Sequence, residues 1–178
     1  MAPEKEHGHG HVEYRFCPRC GGGLERRLVK SGEPKRLVCA GCSFIFYLDP
    51  KVVAGTLFTI DQRVVLLRRG VEPALGKWVF PGGYVDRGES VMAAAVRETR
   101  EESCVHVRLG PVVGVYSYNG SPNVIVVYAA DVIGGNLEAG DESVEAATFD
   151  AREIPWDDLG FDSTREALRD YIRVYLKK

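Results

Sequence analysis

The sequence predicts an α/β fold: a mixed sheet between helical layers, with a small cysteine-rich module ahead of it. Three observations predict it. Short runs rich in Val, Ile, Leu and Tyr, punctuated by Gly, Pro and Asn, fill most of the chain after residue 50. An alanine-rich stretch free of Gly and Pro interrupts them at residues 91–103, and a second helical pattern closes the chain. Two Cys-x-x-Cys pairs precede both features.

Taken in order, residues 1–12 are polar, carry His7, His9 and His11, and read as a disordered tail. Cys17, Cys20, Cys39 and Cys42 then form two knuckles whose spacing suits tetrahedral Zn²⁺. Four thiolates leave no open coordination position, so the role expected of the metal is structural. Residues 24–29 and 35–38 read as a hairpin about Ser31-Gly32-Glu33-Pro34. A module this small cannot hold together on its own core, so zinc would supply much of its stability.

Residues 47–50 read as a linker. Residues 51–60 and 63–69 follow as strands about Asp61-Gln62, with Arg68 and Arg69 ending the second. Residues 70–77 are a loop, and Trp78 to Phe80 lead into Pro81-Gly82-Gly83, where a bare backbone can approach a metal or a phosphate. Residues 91–103 are the acidic helix, with Ser90 as N-cap. Helical spacing puts Glu98, Glu101 and Glu102 on one face, and sets Met92, Ala95, Val96 and Thr99 on another that packs inward. Adjacent carboxylates repel, and a hard divalent cation with substrate phosphates offsets that repulsion.

Residues 105–108, 112–118, 123–132 and 144–149 read as further strands, with a turn at Asn119-Gly120-Ser121-Pro122 and an acidic loop from Gly134 to Ser143. Ser163-Thr164-Arg165-Glu166 has the form of a capping box. Leu168, Tyr171, Ile172, Tyr175 and Leu176 keep helical spacing after it.

Composition narrows the function. The net charge of −2 argues against a general nucleic-acid binder. No apolar run reaches membrane-spanning length and the first residues lack a signal-peptide core, so no membrane partner is expected. Five cysteines, four of them in close pairs, suit a reducing, cytoplasmic setting better than a disulfide framework.

Residues 83–105 resemble the Nudix box, G-x5-E-x7-R-E-U-x-E-E-x-G-U, where U is a bulky aliphatic. Gly83, Glu89, Arg97, Glu98, Glu101, Glu102 and Val105 match in spacing. Thr99 stands where an aliphatic is usual. Cys104 stands where the second glycine is usual, and a left-handed backbone there would strain it. The cysteine module resembles the zinc ribbon that precedes the Nudix domain in NADH pyrophosphatases and in a related ADP-ribose or FAD pyrophosphatase group. The resemblance implies a Nudix α/β/α sandwich over residues 49–178 behind a zinc ribbon at 13–48.

It also implies chemistry. Glu98 and Glu102, often with Glu101, would hold catalytic Mg²⁺ (or Mn²⁺) together with the backbone carbonyl of Gly82. Arg97 would pair with Glu89 and fix the glycine loop to the helix. A further carboxylate comes from Glu142 or Glu145, and Glu145 is favoured by its place before Ala-Ala-Thr-Phe. Arg68, Phe80 and Tyr118 are candidate substrate contacts, although both aromatics also suit the core. The expected reaction is cleavage of ADP-ribose or FAD to AMP plus ribose 5-phosphate or FMN. One alternative is NADH pyrophosphatase activity, including removal of NAD caps. The other is a non-catalytic nucleotide-sensing protein, against which the intact Arg97, Glu98, Glu101 and Glu102 set argues. The chain lacks the S-Q-P-W type motif of NADH pyrophosphatases, and residues 153–161 resemble the ADP-ribose and FAD group. Analogy with the family adds a homodimer.

Overall fold

The structure, a computed structural model, describes residues 14–176. The tail expected over 1–12, with its histidines, lies outside the described residues. The chain divides into two compact units between Asp49 and Pro50.

The first unit is a three-stranded antiparallel sheet in the order β1 (Leu24–Arg27), β2 (Arg36–Cys39), β3 (Ile45–Phe46). The hairpin read from the sequence is present, with the first strand two residues shorter than expected and the second shifted by one residue. The third strand was not anticipated: two residues leave no alternation to read.

In the second unit, β4 (Lys51–Leu57) starts a four-stranded mixed sheet ordered β8 (Gly82–Tyr84), β4, β10 (Asn123–Gly135), β9 (Val105–Ser117). β4 and β10 run parallel and the other pairs antiparallel. A second sheet orders β11 (Ser143–Phe149), β6 (Arg63–Arg69) and β5 (Thr59–Ile60), with β7 (Trp78–Val79) also on β6. The run expected as one strand over 51–60 is broken at Phe58, which is fully buried where the chain passes from one sheet to the other.

Side chains alternate across the mixed sheet. Ala54 and Tyr128 face α1 (Val91–Ser103), packing with Ala94 and Ala95. Val53, Ile125 and Val127 face the opposite way. There they join Leu66, Trp78 and Phe80 with Leu168 and Tyr171 of α2 (Asp162–Tyr175) in the main core. The layers are therefore α1, mixed sheet, then α2 with the second sheet: the expected α/β/α arrangement.

Several local expectations are corrected. Met92 and Val96 of α1 are exposed; the buried face is Ala94, Ala95, Thr99 and Ser103. The strands expected at 105–108 and 112–118 are one strand, because the β9–β10 ladder absorbs Gly110-Pro111 in register shifts on the sheet's outer edge. The capping box is not used: α2 has Phe161 at its N-cap with no side-chain cap bond, and Ser163 and Thr164 are buried in its first turn.

Candidate active site

The four knuckle cysteines converge. Their sulfurs all lie within 4.8 Å of one another, with Cys17 Sγ 3.8 Å from Cys42 Sγ and Cys20 Sγ 3.5 Å from Cys39 Sγ. Tetrahedral zinc with Zn–S bonds of about 2.3 Å separates its sulfurs by a little under 4 Å, so the set fits zinc. Backbone N–H groups support the sulfurs: Arg19 donates to Cys17 Sγ and Cys42 to Cys39 Sγ, each at 3.4 Å. The Cys42 N–H is the main reason the Cys39 thiol is drawn down to about 6, toward the thiolate a metal needs.

The second site is built on α1. Ser90 Oγ accepts from Ala93 N at 3.1 Å and starts the helix where the sequence places its cap. Cys104 ends it in a left-handed conformation, φ 58°, so the strain expected of a cysteine at this position is present. Thr99 is fully buried, and its hydroxyl meets that of Thr56 on β4 at 2.7 Å. The polar residue at an aliphatic position thus has its own polar partner in the sheet.

Against this helix lies β8. Gly82 pairs with Gly55 of β4 in a contact so close that a Cβ on Gly82 would sit 2.7 Å from the Gly55 Cα. A Cβ on Gly83 would lie 2.5 Å from the Glu98 carboxyl. The two glycines therefore bring backbone directly against the acidic face, and Gly82 N–H donates to Glu102 Oε2 at 2.8 Å.

Arg97 locks the frame. Its Nε and Nη2 grip Glu89 at 2.9 and 2.8 Å, Nη2 also reaches the Tyr84 carbonyl at 3.2 Å, and Nη1 reaches Glu98 at 2.7 Å and Glu101 at 3.1 Å. Glu89 in turn accepts from Asp86 N at 3.1 Å. The Arg97 guanidinium holds the Glu89 carboxyl below its usual range, and the carboxylates push Arg97 upward.

The inner carboxylates behave differently. Burial raises Glu98 despite its bond to Arg97, with Glu101 and Glu142 adding like charge. Burial likewise pushes Glu102 up to about 7; the Gly82 N–H opposes this, and Glu98 and Glu142 reinforce it. No ion pair joins Glu102 to a cation among the described residues. Glu98 is only 15% exposed while Glu101 is 49% exposed, so Glu98 and Glu102 form the inner pair. Two sheltered carboxylates that repel each other, with hard oxygen donors and bare backbone beside them, fit a divalent cation.

The acidic loop completes this end. Glu138 N and Gly140 N donate to the carbonyls of Ser103 and Glu102 at 3.1 and 2.9 Å, docking the loop on the end of α1. Glu142, held through its carbonyl by Gly70 N at 2.7 Å, faces Glu98 and Glu102 electrostatically. Glu145 instead sits 3.5 Å from Arg68. Arg68 is further occupied by the Gly76 carbonyl at 2.8 Å and lies over the Trp78 ring.

Its neighbour Arg69, which the sequence places beside it at the strand end, donates to the Pro73 carbonyl at 2.7 Å, and its positive charge acts on Glu102. Phe80 is buried in the core, and Tyr118 is half-buried against that same core, with its hydroxyl enclosed near Glu166 and Asp162. No sequence signal separates Arg68 from Arg69. Strand alternation sends the two to opposite sides, and the pairing of β6 decides which one meets the acids.

Comparison with known proteins agrees with this architecture. Residues 49–173 match the family model described as NUDIX domain, and residues 15–48 the one described as Nudix N-terminal. An ADP-ribose pyrophosphatase from Methanocaldococcus jannaschii is 33% identical over 155 residues, covering 83% of this chain and 84% of that protein. The NAD-capped RNA hydrolase NudC of Stutzerimonas stutzeri is 28% identical across 93% of this chain, which spans 57% of that protein's length. The crystal structure of a NUDIX hydrolase from Nitrosomonas europaea superposes with a TM-score of 0.86 at 31% identity, covering 92% of this chain and 93% of that one.

Proposed function

The chain belongs to the Nudix hydrolase family, and from that premise we propose that it is a Mg²⁺-dependent pyrophosphatase acting on ADP-ribose, with FAD as a related substrate. Water would add across the phosphoric anhydride, giving AMP plus ribose 5-phosphate, or AMP plus FMN from FAD. The observation that carries this reading is the sheltered Glu98 and Glu102 pair set against Gly82 and Gly83, with Glu102 raised to about 7 and ion-paired to no cation among the described residues. Such a pair suits a divalent ion beside a diphosphate.

Glu98 and Glu102 would hold the ion, with Glu101 at the outer edge, the Gly82 carbonyl from the strand, and Glu142 rather than Glu145 from the acidic loop. When bound, Mg²⁺ (or Mn²⁺) supplies charge neutralisation of the diphosphate and acidification of a bound water. The chain's own residues set the geometry. Gly82 N–H fixes one oxygen of Glu102 and leaves the other oxygen free to bind. Arg97 clamps Glu89, Tyr84 and Glu98 into one unit, so that the β8 backbone and the helix move together. Arg69 lends positive charge on the Glu102 side, where substrate phosphate would sit. In the first unit the four cysteines would hold a structural Zn²⁺.

ADP-ribose ranks first because the relative named for it aligns over most of both chains. A second reading, NADH pyrophosphatase or NAD-cap hydrolase, is favoured by the NudC match across nearly the whole chain. The five free cysteines suit a cytoplasmic setting, and the family resemblance favours a homodimer. The test is AMP release from ADP-ribose, FAD and NADH, each with Mg²⁺. ADP-ribose or FAD should be turned over fastest. Fastest turnover of NADH would support the second reading, and no AMP from any of the three would refute a pyrophosphatase.

A further inference from the structure

Whole-chain charge hides an asymmetry. Of the chain's 23 Lys and Arg and 25 Asp and Glu, seven and three fall in residues 14–49, leaving sixteen and twenty-two elsewhere. Residues 14–49 are thus net +4, while residues 1–13 are −2 and residues 50–178 are −4. Zinc with four thiolates carries −2, partly enclosed at the buried Cys17 and Cys39, so residues 14–49 stay net positive with the metal bound.

The positive charge is organised on one sheet face. Arg27 of β1 stands directly opposite Arg36 of β2. Like charges directly opposed across a ladder destabilise a sheet unless an anion lies between them. Arg36 Nε is enclosed and has no hydrogen-bond partner among the described residues, and its guanidinium lies 5.5 Å over the ring of Tyr47. Tyr47 itself is 54% exposed, so one side of the ring is covered by arginine and much of the remainder is open. Arg27 is held by Glu25 at 2.8 Å, an exposed pair that solvent screens and a stronger anion can displace.

We propose that this face of the zinc ribbon, built on Arg27, Arg36 and Tyr47, binds single-stranded nucleic acid. A base stacks on the open part of the Tyr47 ring, and the two guanidiniums take the adjoining phosphates. Aromatic stacking beside cations is the chemistry of sequence-tolerant single-strand binding. A duplex keeps its bases stacked inside and offers the tyrosine nothing. The low net charge of the whole chain argues against nucleic acid only while residues 14–49 are averaged with the rest of the chain. The inference goes beyond the proposed hydrolysis and is read out without turnover.

The experiment is fluorescence anisotropy of a labelled 12-nucleotide RNA with a 5′-hydroxyl, which contains no diphosphate. It is titrated with zinc-loaded, full-length protein in Mg²⁺-free buffer. Binding should weaken about 7-fold between 50 and 200 mM salt, as expected for about two phosphates on a single strand. DNA of the same sequence should bind equally, because neither contact reads the sugar, and a duplex should bind at least tenfold more weakly. Tyr47→Ala and Arg36→Gln should each lose about tenfold. Both variants should keep the wild-type zinc content and unchanged ADP-ribose turnover; Arg36→Lys should recover the salt dependence but only part of the affinity. Equal binding of duplex and single strand, or wild-type affinity in Tyr47→Ala with zinc retained, would overturn the proposal. So would binding to anionic lipid vesicles with none to RNA.

Discussion

Replacing Glu102 by Gln should stabilise the magnesium-free protein while abolishing its turnover. Burial beside Glu98 and Glu142 raises the Glu102 carboxyl from an ordinary 4.5 to about 7. A carboxyl raised on folding contributes stability that is full below about pH 4.5 and is lost as pH climbs through about 7. At pH 8 the folded state therefore carries a charge it disfavours. At about 1.4 kcal/mol per pH unit, the rise from 4.5 to about 7 sets an upper bound of about 3.5 kcal/mol, and side-chain rearrangement trims this to about 2–3 kcal/mol. Glutamine keeps an acceptor oxygen for Gly82 N–H and carries no charge. For a unit of this size the gain corresponds to a midpoint on the order of 10 °C higher.

The assay is thermal unfolding followed by tryptophan fluorescence at pH 4.5 and pH 8, after dialysis free of magnesium and without chelator, so that zinc is retained. Both tryptophans, Trp78 and Trp156, lie in the second unit and report on it. Glu102→Gln should melt well above wild type at pH 8, and the difference should shrink toward zero at pH 4.5. Magnesium should raise the wild-type midpoint and leave the variant's unchanged. Superimposable melts at pH 8, or a variant less stable than wild type there, would refute the reasoning.

Three further outcomes follow from the same geometry. Gly83→Ala should fold normally but lose about 10–100-fold in kcat, because the new Cβ would displace the Glu98 carboxyl it meets at 2.5 Å; steady-state kinetics alongside circular dichroism checks this. Thr99→Val should cost about 1–3 kcal/mol by leaving the buried Thr56 hydroxyl without its partner. Adding Thr56→Val should recover much of that loss in urea denaturation. Cys39→Ser should drop the zinc content well below one ion per chain by elemental analysis and open the first unit to proteolysis, since a serine oxygen replaces a sulfur already drawn toward thiolate.

What was legible in the sequence was set by local chemistry. The Ser90 cap, the Gly- and Pro-free run of α1 and the knuckle spacing each specify their own structure within a few residues, and each is found as read. The inward face of α1 was only half legible. Met92 and Val96 are apolar yet exposed, because the helix sits close to the sheet through Ala94 and Ala95 and leaves no room there for larger side chains. Gly110-Pro111 looked like a strand break, but an edge strand with a bulge tolerates a residue that cannot donate. Gly82 and Gly83 read only as bare backbone for a metal or a phosphate; they are strand residues whose missing side chains admit Gly55 and Glu98.

The choice between Glu142 and Glu145, and between Arg68 and Arg69, was not legible at all. Each depends on how β11 registers against β6, a long-range pairing with a shift between Ser143 and Glu145. That pairing sets Glu145 against Arg68, while the docked loop turns Glu142 toward α1.

The central claim is that the inner face of α1 grips a divalent ion and that this ion serves hydrolysis. Manganese binding followed by electron paramagnetic resonance, on wild type and on Glu98→Gln and Glu102→Gln, tests it most directly when AMP release from ADP-ribose is measured on the same samples. The account predicts that each variant loses tight manganese binding and turnover together while remaining folded. Wild-type manganese affinity in both variants would contradict it.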